Sequence, residues 1–186
     1  MSSSVNYDTI TKIQMQLDEI VEVTSRIKEM SPDGLMVEYG SGGSTVKWLE
    51  ELTNNQLLIS IEHKLEWYIK VSEYIDSRSD INQRFKYIFK PELYTFKHGY
   101  ATINEEHPHG LDNYFIPQPN ILDADIFFID GVARGTTALI IKMLSKKINP
   151  VIYIHDYYGR EEWYTWATQF FYKKEKVGYS LVRLWK

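Results

Sequence analysis

Leu35-Met36-Val37-Glu38-Tyr39-Gly40-Ser41-Gly42-Gly43-Ser44, followed downstream by Ile59-Ser60-Ile61-Glu62, decides how the rest of the chain is read. An apolar run reaches an acid, turns through three glycines and opens at Ser44 onto a helical pattern. Glycine lacks a Cβ and reaches positive φ cheaply, so such a turn is sharp and lets backbone approach a ligand. A second apolar run ends in Glu62, 22 residues beyond Gly40. A Rossmann-like sheet builds a nucleoside site in this way, at the carboxyl ends of its first two strands. Glu62 would then accept hydrogen bonds from both ribose hydroxyls.

The pattern disfavours a dinucleotide. A G-x-G-x-x-G fingerprint counted from Gly40 puts Thr45 where the third glycine should be, and that glycine permits close helix–strand packing around a pyrophosphate. No G-x-x-x-x-G-K-[ST] phosphate loop is present either. The E-x-G-x-G-x-S form resembles motif I of the class I S-adenosylmethionine-dependent methyltransferases. The resemblance implies that the glycine turn accommodates the methionine portion and that the acid ending the second strand holds the ribose. It implies cofactor contacts from Glu38, Gly40, Ser41, Gly42, Ser44, Glu62, His63 and Asp130.

Composition narrows the classes further. With 186 residues, 44% hydrophobic and 25% charged, the chain is one ordinary globular domain with a full core. Aromatics make up 15%, including 14 tyrosines and 5 tryptophans, which suits packing against an adenine or a sugar as well as a plain core. The net charge of −4 provides no basic stripe, so a nucleic-acid partner is not expected. With no cysteine, disulfides, thiolate zinc sites and a cysteine nucleophile are ruled out. The first residues show no signal pattern, and no apolar run approaches the ~20 residues needed to cross a bilayer. A cytoplasmic protein with no membrane partner is the expectation, and a homodimer is left open.

Apolar residues recur at helical spacing from Ile10 to Met30, predicting a leading helix within residues 1–30, capped by Asp8 or Thr9 and stopped by Ser31-Pro32-Asp33-Gly34. The first strand is Leu35 to Tyr39, its helix runs from about Ser44 to Leu52, and the second strand spans Leu57 to Ile61. An amphipathic helix follows from about Lys64 to Ile75, with Leu65, Tyr68, Ile69, Ser72 and Ile75 tracing one face. Phe85 to Phe89 alternates as a third strand. From Lys90 to Leu122 no period is found, and a loop this long reads as a substrate lid over the sheet edge. Within it His107 and His109 are expected to be exposed loop histidines rather than a metal pair. Asp125 to Asp130 is a buried strand. Its helix runs from about Ala133 to Lys146, with Leu139, Ile140, Met143 and Leu144 inward. A fifth strand, Val151 to Asp156, precedes a short aromatic helix from about Arg160 to Thr168 and a final antiparallel hairpin. The fold expected is a single α/β domain with a Rossmann-like, doubly wound, mostly parallel seven-stranded sheet.

Adjacent strands lie ~4.8 Å apart, so Asp130 at the end of one and His155-Asp156 at the end of the next should converge near the glycine turn. Two chemistries suit them. Asp130 and Asp156 would share Mg2+ or Mn2+ through oxygen ligands, or His155 would act as general base. Methyl transfer to an alcohol needs such help, because the acceptor's proton must leave as its oxygen attacks.

Phe128-Ile129-Asp130-Gly131-Val132-Ala133-Arg134, with Ile154-His155-Asp156-Tyr157-Tyr158-Gly159-Arg160, is similar to the macrocin-O-methyltransferase and glucuronoxylan-methyltransferase-like group, which methylates sugar hydroxyls. Its members carry an I-D-G strand end and an [HD]-D-[YV] motif. In the macrocin type, acids at those ends bind a divalent metal, which implies that role for Asp130 and Asp156. His155 stands where the macrocin type has a first aspartate, leaving the number of acidic ligands open. Substrate contacts are expected from Arg134, Arg160 and Tyr157, with Tyr158, Trp163 and Trp166 as a stacking wall. Asp130, His155 and Asp156 are the expected catalytic residues of an O-methyltransferase acting on a sugar or glycan hydroxyl. A catechol or phenol acceptor is the enzyme alternative, and a non-catalytic partner subunit the alternative from another class.

Overall fold

The computed structural model describes residues 8–53, 55–91, 95–97, 100–102 and 112–186. In chain order the elements are α1 (Asp8–Thr11), α2 (Leu17–Glu29), β1 (Leu35–Tyr39), α3 (Gly43–Glu51), β2 (Leu57–Glu62), α4 (Leu65–Asp76) and β3 (Phe85–Phe89). There follow β4 (Thr95–Lys97), β5 (Tyr100–Thr102), α5 (Asp112–Phe115), β6 (Ile126–Ile129), α6 (Arg134–Leu144), β7 (Val151–Ile154), α7 (Glu161–Thr168), β8 (Lys173–Val177) and β9 (Leu181–Trp185). Seven strands form one sheet in the order β3-β2-β1-β6-β7-β9-β8, and β4 pairs with β5 in a separate antiparallel ribbon. β3, β2, β1, β6 and β7 are parallel, while β9 runs antiparallel to both β7 and β8. This is the α/β sheet with a terminal hairpin that the sequence predicts.

Both faces of β2, β1, β6 and β7 are buried, which is why they read as nearly continuous apolar runs, whereas β3 at the sheet edge is partly exposed and alternates. Val37, Ile59, Phe127 and Ile152 share one register line and enter one core with Ala138, Ile141 and Tyr164. Met36, Leu58, Ile126, Phe128 and Tyr153 enter the other, with Val23, Ile27, Trp48, Leu49, Val71 and Ile75. Burying each large side chain of this kind contributes about 1.5–3 kcal/mol. Strand order reverses between β1 and β6, since β1 has β2 on one side and β6 on the other. A crevice opens there at the carboxyl edge.

Three expectations are corrected. The leading helix is broken: α1 ends at Thr11 and α2 starts at Leu17. The intervening chain crosses the glycine turn so closely that a Cβ on Gly43 would lie 2.5 Å from the Lys12 carbonyl oxygen. Glu19 restarts the helix by accepting the Gln16 N–H at 3.0 Å. In α4 the buried residues are Val71 and Ile75, while Leu65 and Ile69 are exposed. Tyr68 orients that helix, its ring 4.4 Å from Tyr87 and 5.1 Å from Phe89. In α6 the inward residues are Gly135, Thr137, Ala138 and Ile141, and Met143 and Leu144 face solvent. A Cβ on Gly135 would be 3.4 Å from the Ala167 Cβ, so small residues let α7 lie close against this face.

The segment expected as a lid contains the β4–β5 ribbon, α5 and a short turn of 3-10 helix at Pro119–Ile121. Tyr94, His98, His107 and His109 lie outside the residues whose side chains are described. Among the described residues, no helix is long and apolar enough to cross a membrane.

Candidate active site

Gly40 turns the chain out of β1 with φ of +89°, and a Cβ there would lie 2.6 Å from the Gly131 nitrogen. Only glycine fits both the conformation and the approach. Gly131 leaves the matching gap at the end of β6: a Cβ on it would be 1.9 Å from the Tyr114 hydroxyl oxygen. Tyr114, delivered by α5, is 1% exposed and sits edge-on to Tyr39 and His63, with ring centres 5.6 and 5.3 Å away. Its phenol thus lies in the crevice where the strand order reverses.

Glu38 does not face that crevice. It is fully buried and accepts hydrogen bonds from Ser44 Oγ, Thr45 Oγ1 and Ser60 Oγ at 2.7, 2.6 and 2.9 Å. Burial pushes its carboxyl up to about 7 against those three donors, with the Asp130 charge adding to the rise. Here the Glu38 carboxyl is engaged by three side-chain hydroxyls. Glu38 ties β1, β2 and the start of α3 together behind the turn, and Ser44 is spent on it.

Glu62 ends β2 as expected. One oxygen accepts Ser41 N and Ser41 Oγ at 2.8 and 2.7 Å, and the other accepts the His63 and Lys64 amides, each at 2.8 Å. Burial acts to raise this carboxyl, but the His63 ring, these amides and the Ser41 hydroxyl outweigh it, and the net shift is downward. It is an anion held at the strand end, with the hydroxyl of Ser41, itself bonded to Tyr87 Oη, resting on it.

Two hollows flank this turn. One, of about 170 Å³, is lined by Ser41, Gly42, Gly43, Ser44, Asp130 and Trp67 under the Lys12–Met15 crossing. The other is an open depression of about 600 Å³ along His63–Trp67, Phe89 and Pro91. Trp67 borders both.

At the ends of β6 and β7 the expected catalytic residues converge. His155 Nδ1 is 3.0 Å from Asp130 Oδ1 and 3.8 Å from Asp156 Oδ1, and its Nε2 is 3.9 Å from Glu19 Oε2. Burial acts to lower the imidazole, but the hydrogen bond and charge of Asp130, with Asp156, outweigh it and raise the group above 6.5. His155 and Asp156 wall a cavity of about 410 Å³ with Gln14, Gln16, Glu19, Tyr158, Arg160 and Tyr179 among its lining. Asp130 therefore belongs to the hollow at the glycine turn and is bonded to the imidazole of the larger cavity. Backbone strain gathers here too. Among the described residues, the non-glycine residues with positive φ are Ala133 at 50° and Asp156 at 51°, one in each of the two turns.

The expected substrate contacts divide. Arg160 and Tyr158 line the large cavity. Tyr157 does not: it is 1% exposed, and its hydroxyl bonds Thr168 Oγ1 at 2.9 Å and accepts from Lys174 Nζ at 3.1 Å. Trp163 and Trp166 lie half-exposed on α7, and neither lines these hollows. Arg134 is not free to clamp a substrate. Its Nη2 is 3.2 Å from Asp130 Oδ1, its Nη1 is 3.4 Å from Asp156 Oδ2, and it donates to the Gly131 and His155 carbonyls.

The donor atoms of Asp130, His155 and Asp156 all lie within 4.8 Å of one another, as metal ligands would. Their charge does not fit one, because Arg134 already bridges the two carboxylates. Sequence reasoning missed Glu19, Trp67 and Tyr114. Trp67 had a signal, as the first aromatic after Glu62. Glu19 had none, since its partners Ser180 and Leu181 lie at the other end of the chain.

No family model matches the chain, and no curated protein sequence matches it. Solved structures do. An O-methyltransferase from Bacillus cereus in complex with SAH superposes with a TM-score of 0.62 at 13% identity, over 95% of this chain and 83% of that one. A methyltransferase from Geobacter sulfurreducens gives 0.60 at 14%, over 94% and 80%. The O-methyltransferase TomG from Streptomyces achromogenes, in complex with SAM, gives 0.52 at 12%, over 81% of this chain and 60% of TomG's length. With the strand order and the glycine turn, these likenesses establish that the chain has the Rossmann-like methyltransferase fold.

Proposed function

We propose that the chain is an S-adenosylmethionine-dependent O-methyltransferase acting on a hydroxyl of a sugar or glycan. One observation carries this reading. Asp130 borders the hollow at the glycine turn and holds His155, whose cavity lies next door, so a methyl-donor site and a base share one residue. The fold shared with proteins crystallised with SAM or SAH supports the donor.

When bound, the sulfonium supplies an electrophilic methyl group. The chain's part is to bind and orient. Gly40, Ser41 and Gly42 offer close backbone for the amino-acid portion. Glu62 offers a carboxylate to the ribose in exchange for its bond to the Ser41 hydroxyl, and the His63–Trp67 depression offers a face for the adenine. In neutral His155, Nδ1–H donates to Asp130 and Nε2 is left to take the acceptor's proton. The 410 Å³ cavity suits a ring with many hydroxyls, since Gln14, Gln16, Asp156 and Arg160 offer hydrogen bonds and Tyr158 and Tyr179 offer flat faces. No step needs a metal.

Calorimetric titration with S-adenosylhomocysteine tests the donor site. Micromolar binding to the wild type, lost in Glu62→Ala, is expected, and no binding to the wild type would sink the reading. Screening labelled S-adenosylmethionine against sugar nucleotides and glycans, with catechols in parallel, tests the acceptor. His155→Ala should cut turnover by about 10²–10⁴-fold and leave the titration unchanged.

A further inference from the structure

The cluster of Asp130, His155 and Asp156 has the ligand types and spacing of a divalent-metal site. The positive charge such a site needs is already part of the chain. The Arg134 side chain is 12% exposed and reaches both carboxylates, at 3.2 and 3.4 Å. Its Nε donates to the Gly131 carbonyl at 2.9 Å and its Nη1 to the His155 carbonyl. The guanidinium thus pins the end of β6 to the end of β7. Arg160 adds a second guanidinium 3.5 Å from Asp156 Oδ2. Asp130 and Asp156 are thus matched by two guanidiniums, while Glu19 lies on the far side of the imidazole, 3.9 Å from Nε2. A divalent ion would compete with Arg134 for Asp130 Oδ1 and Asp156 Oδ2, and would sit beside the guanidinium charge even if it used the other carboxylate oxygens. Losing a proton is no escape, because arginine stays protonated in proteins.

The backbone prepares this placement. Ala133, immediately before Arg134, is held in the left-handed region at φ 50°, where a residue with a Cβ is strained. Asp156, on the receiving side, has φ of 51°. Strain on both sides of one ion-pair bridge marks a built arrangement.

We propose that Arg134 is the resident cation of this site: it holds Asp130 and Asp156 in register for His155 and excludes a divalent metal from the cluster. The proposal concerns the cluster's own charge and does not depend on the identity of the methyl donor or acceptor.

Mn2+ binding followed by loss of the free-ion electron paramagnetic resonance signal tests it on the full chain at neutral pH. The wild type should leave submillimolar Mn2+ free. Arg134→Met, and Arg134→Gln as a second variant in case one fails to fold by circular dichroism, should take up one Mn2+ per chain at least about tenfold more tightly. Adding Asp130→Asn to either should abolish the gain. Arg134→Lys keeps a cation and should behave as the wild type. The proposal is overturned if the wild type binds Mn2+ as tightly as the neutral variants, if a folded neutral variant binds no better than the wild type, or if Arg134→Lys binds as they do. Should neither neutral variant fold, the wild type decides alone: tight uptake overturns the proposal and none supports it.

Discussion

Glu38 shows how one buried carboxyl can set a pH response. Its folded-state pKa of about 7 lies above the ordinary 4.5, because burial disfavours the charged form. Below 4.5 both folded and unfolded chains hold the proton. Between 4.5 and 7 only the unfolded chain releases it, so this residue's contribution falls as pH rises, by about 3 kcal/mol at most, and is flat above 7. Glu38→Gln keeps the shape and does not titrate, and the three hydroxyls can reorient toward an amide. Urea unfolding at pH 5 and pH 7 should show the wild type losing more stability than Glu38→Gln across that interval. His155 has the opposite consequence for activity. Raised above 6.5, it must lose its proton to act as a base, so kcat/KM should climb with pH through a midpoint above 6.5. Asp130→Asn removes the strongest partner of the protonated form and should move that limb to lower pH. Asp130, His155 and Glu62 were legible from sequence because strand ends fix where such residues point. Arg134 and Tyr157 were not, because which partners take a long side chain depends on contacts between turns far apart in the chain.

At the scale of elements, the strands read well and the helix faces badly, for a physical reason. A buried parallel strand is apolar at nearly every position, Glu38 in β1 and Ser60 and Glu62 in β2 being the polar exceptions, and its run needs no phase. A helix needs a phase, and α6 carries apolar residues nearly all round, so spacing alone fits more than one face. The small residue Gly135 decided it by letting α7 approach. Ile141→Ala should therefore cost about 2–5 kcal/mol, whereas Met143→Lys should stay within about 0.5 kcal/mol of the wild type. Chemical denaturation of the two variants checks the orientation directly, since the periodic reading assigned Met143 and not Ile141 to the core. The broken leading helix has the same kind of cause. Its apolar spacing runs on past Thr11, but the chain must leave the helix to cross Gly43, and that crossing exists only in the folded molecule.

At the scale of the whole molecule, the strand order opens a crevice between β1 and β6, and Tyr114 lies against its Gly131 edge. Tyr114 rests on Gly131 and sits edge-on to His63, which lines the depression that the proposed reading gives to the adenine. No reading of residues 90–122 as a loop would have put a phenol there, because the pairing is between a segment without period and a glycine some distance downstream. On the proposed reading, a nucleoside that needs this space would enter in two steps, the departure of the ring being unimolecular. In stopped-flow measurements of tryptophan fluorescence, the observed rate of S-adenosylhomocysteine binding should level off as its concentration rises, and Tyr114→Ala should restore a linear dependence. The speed at which the site fills would then be set by the protein's own tyrosine rather than by the supply of ligand.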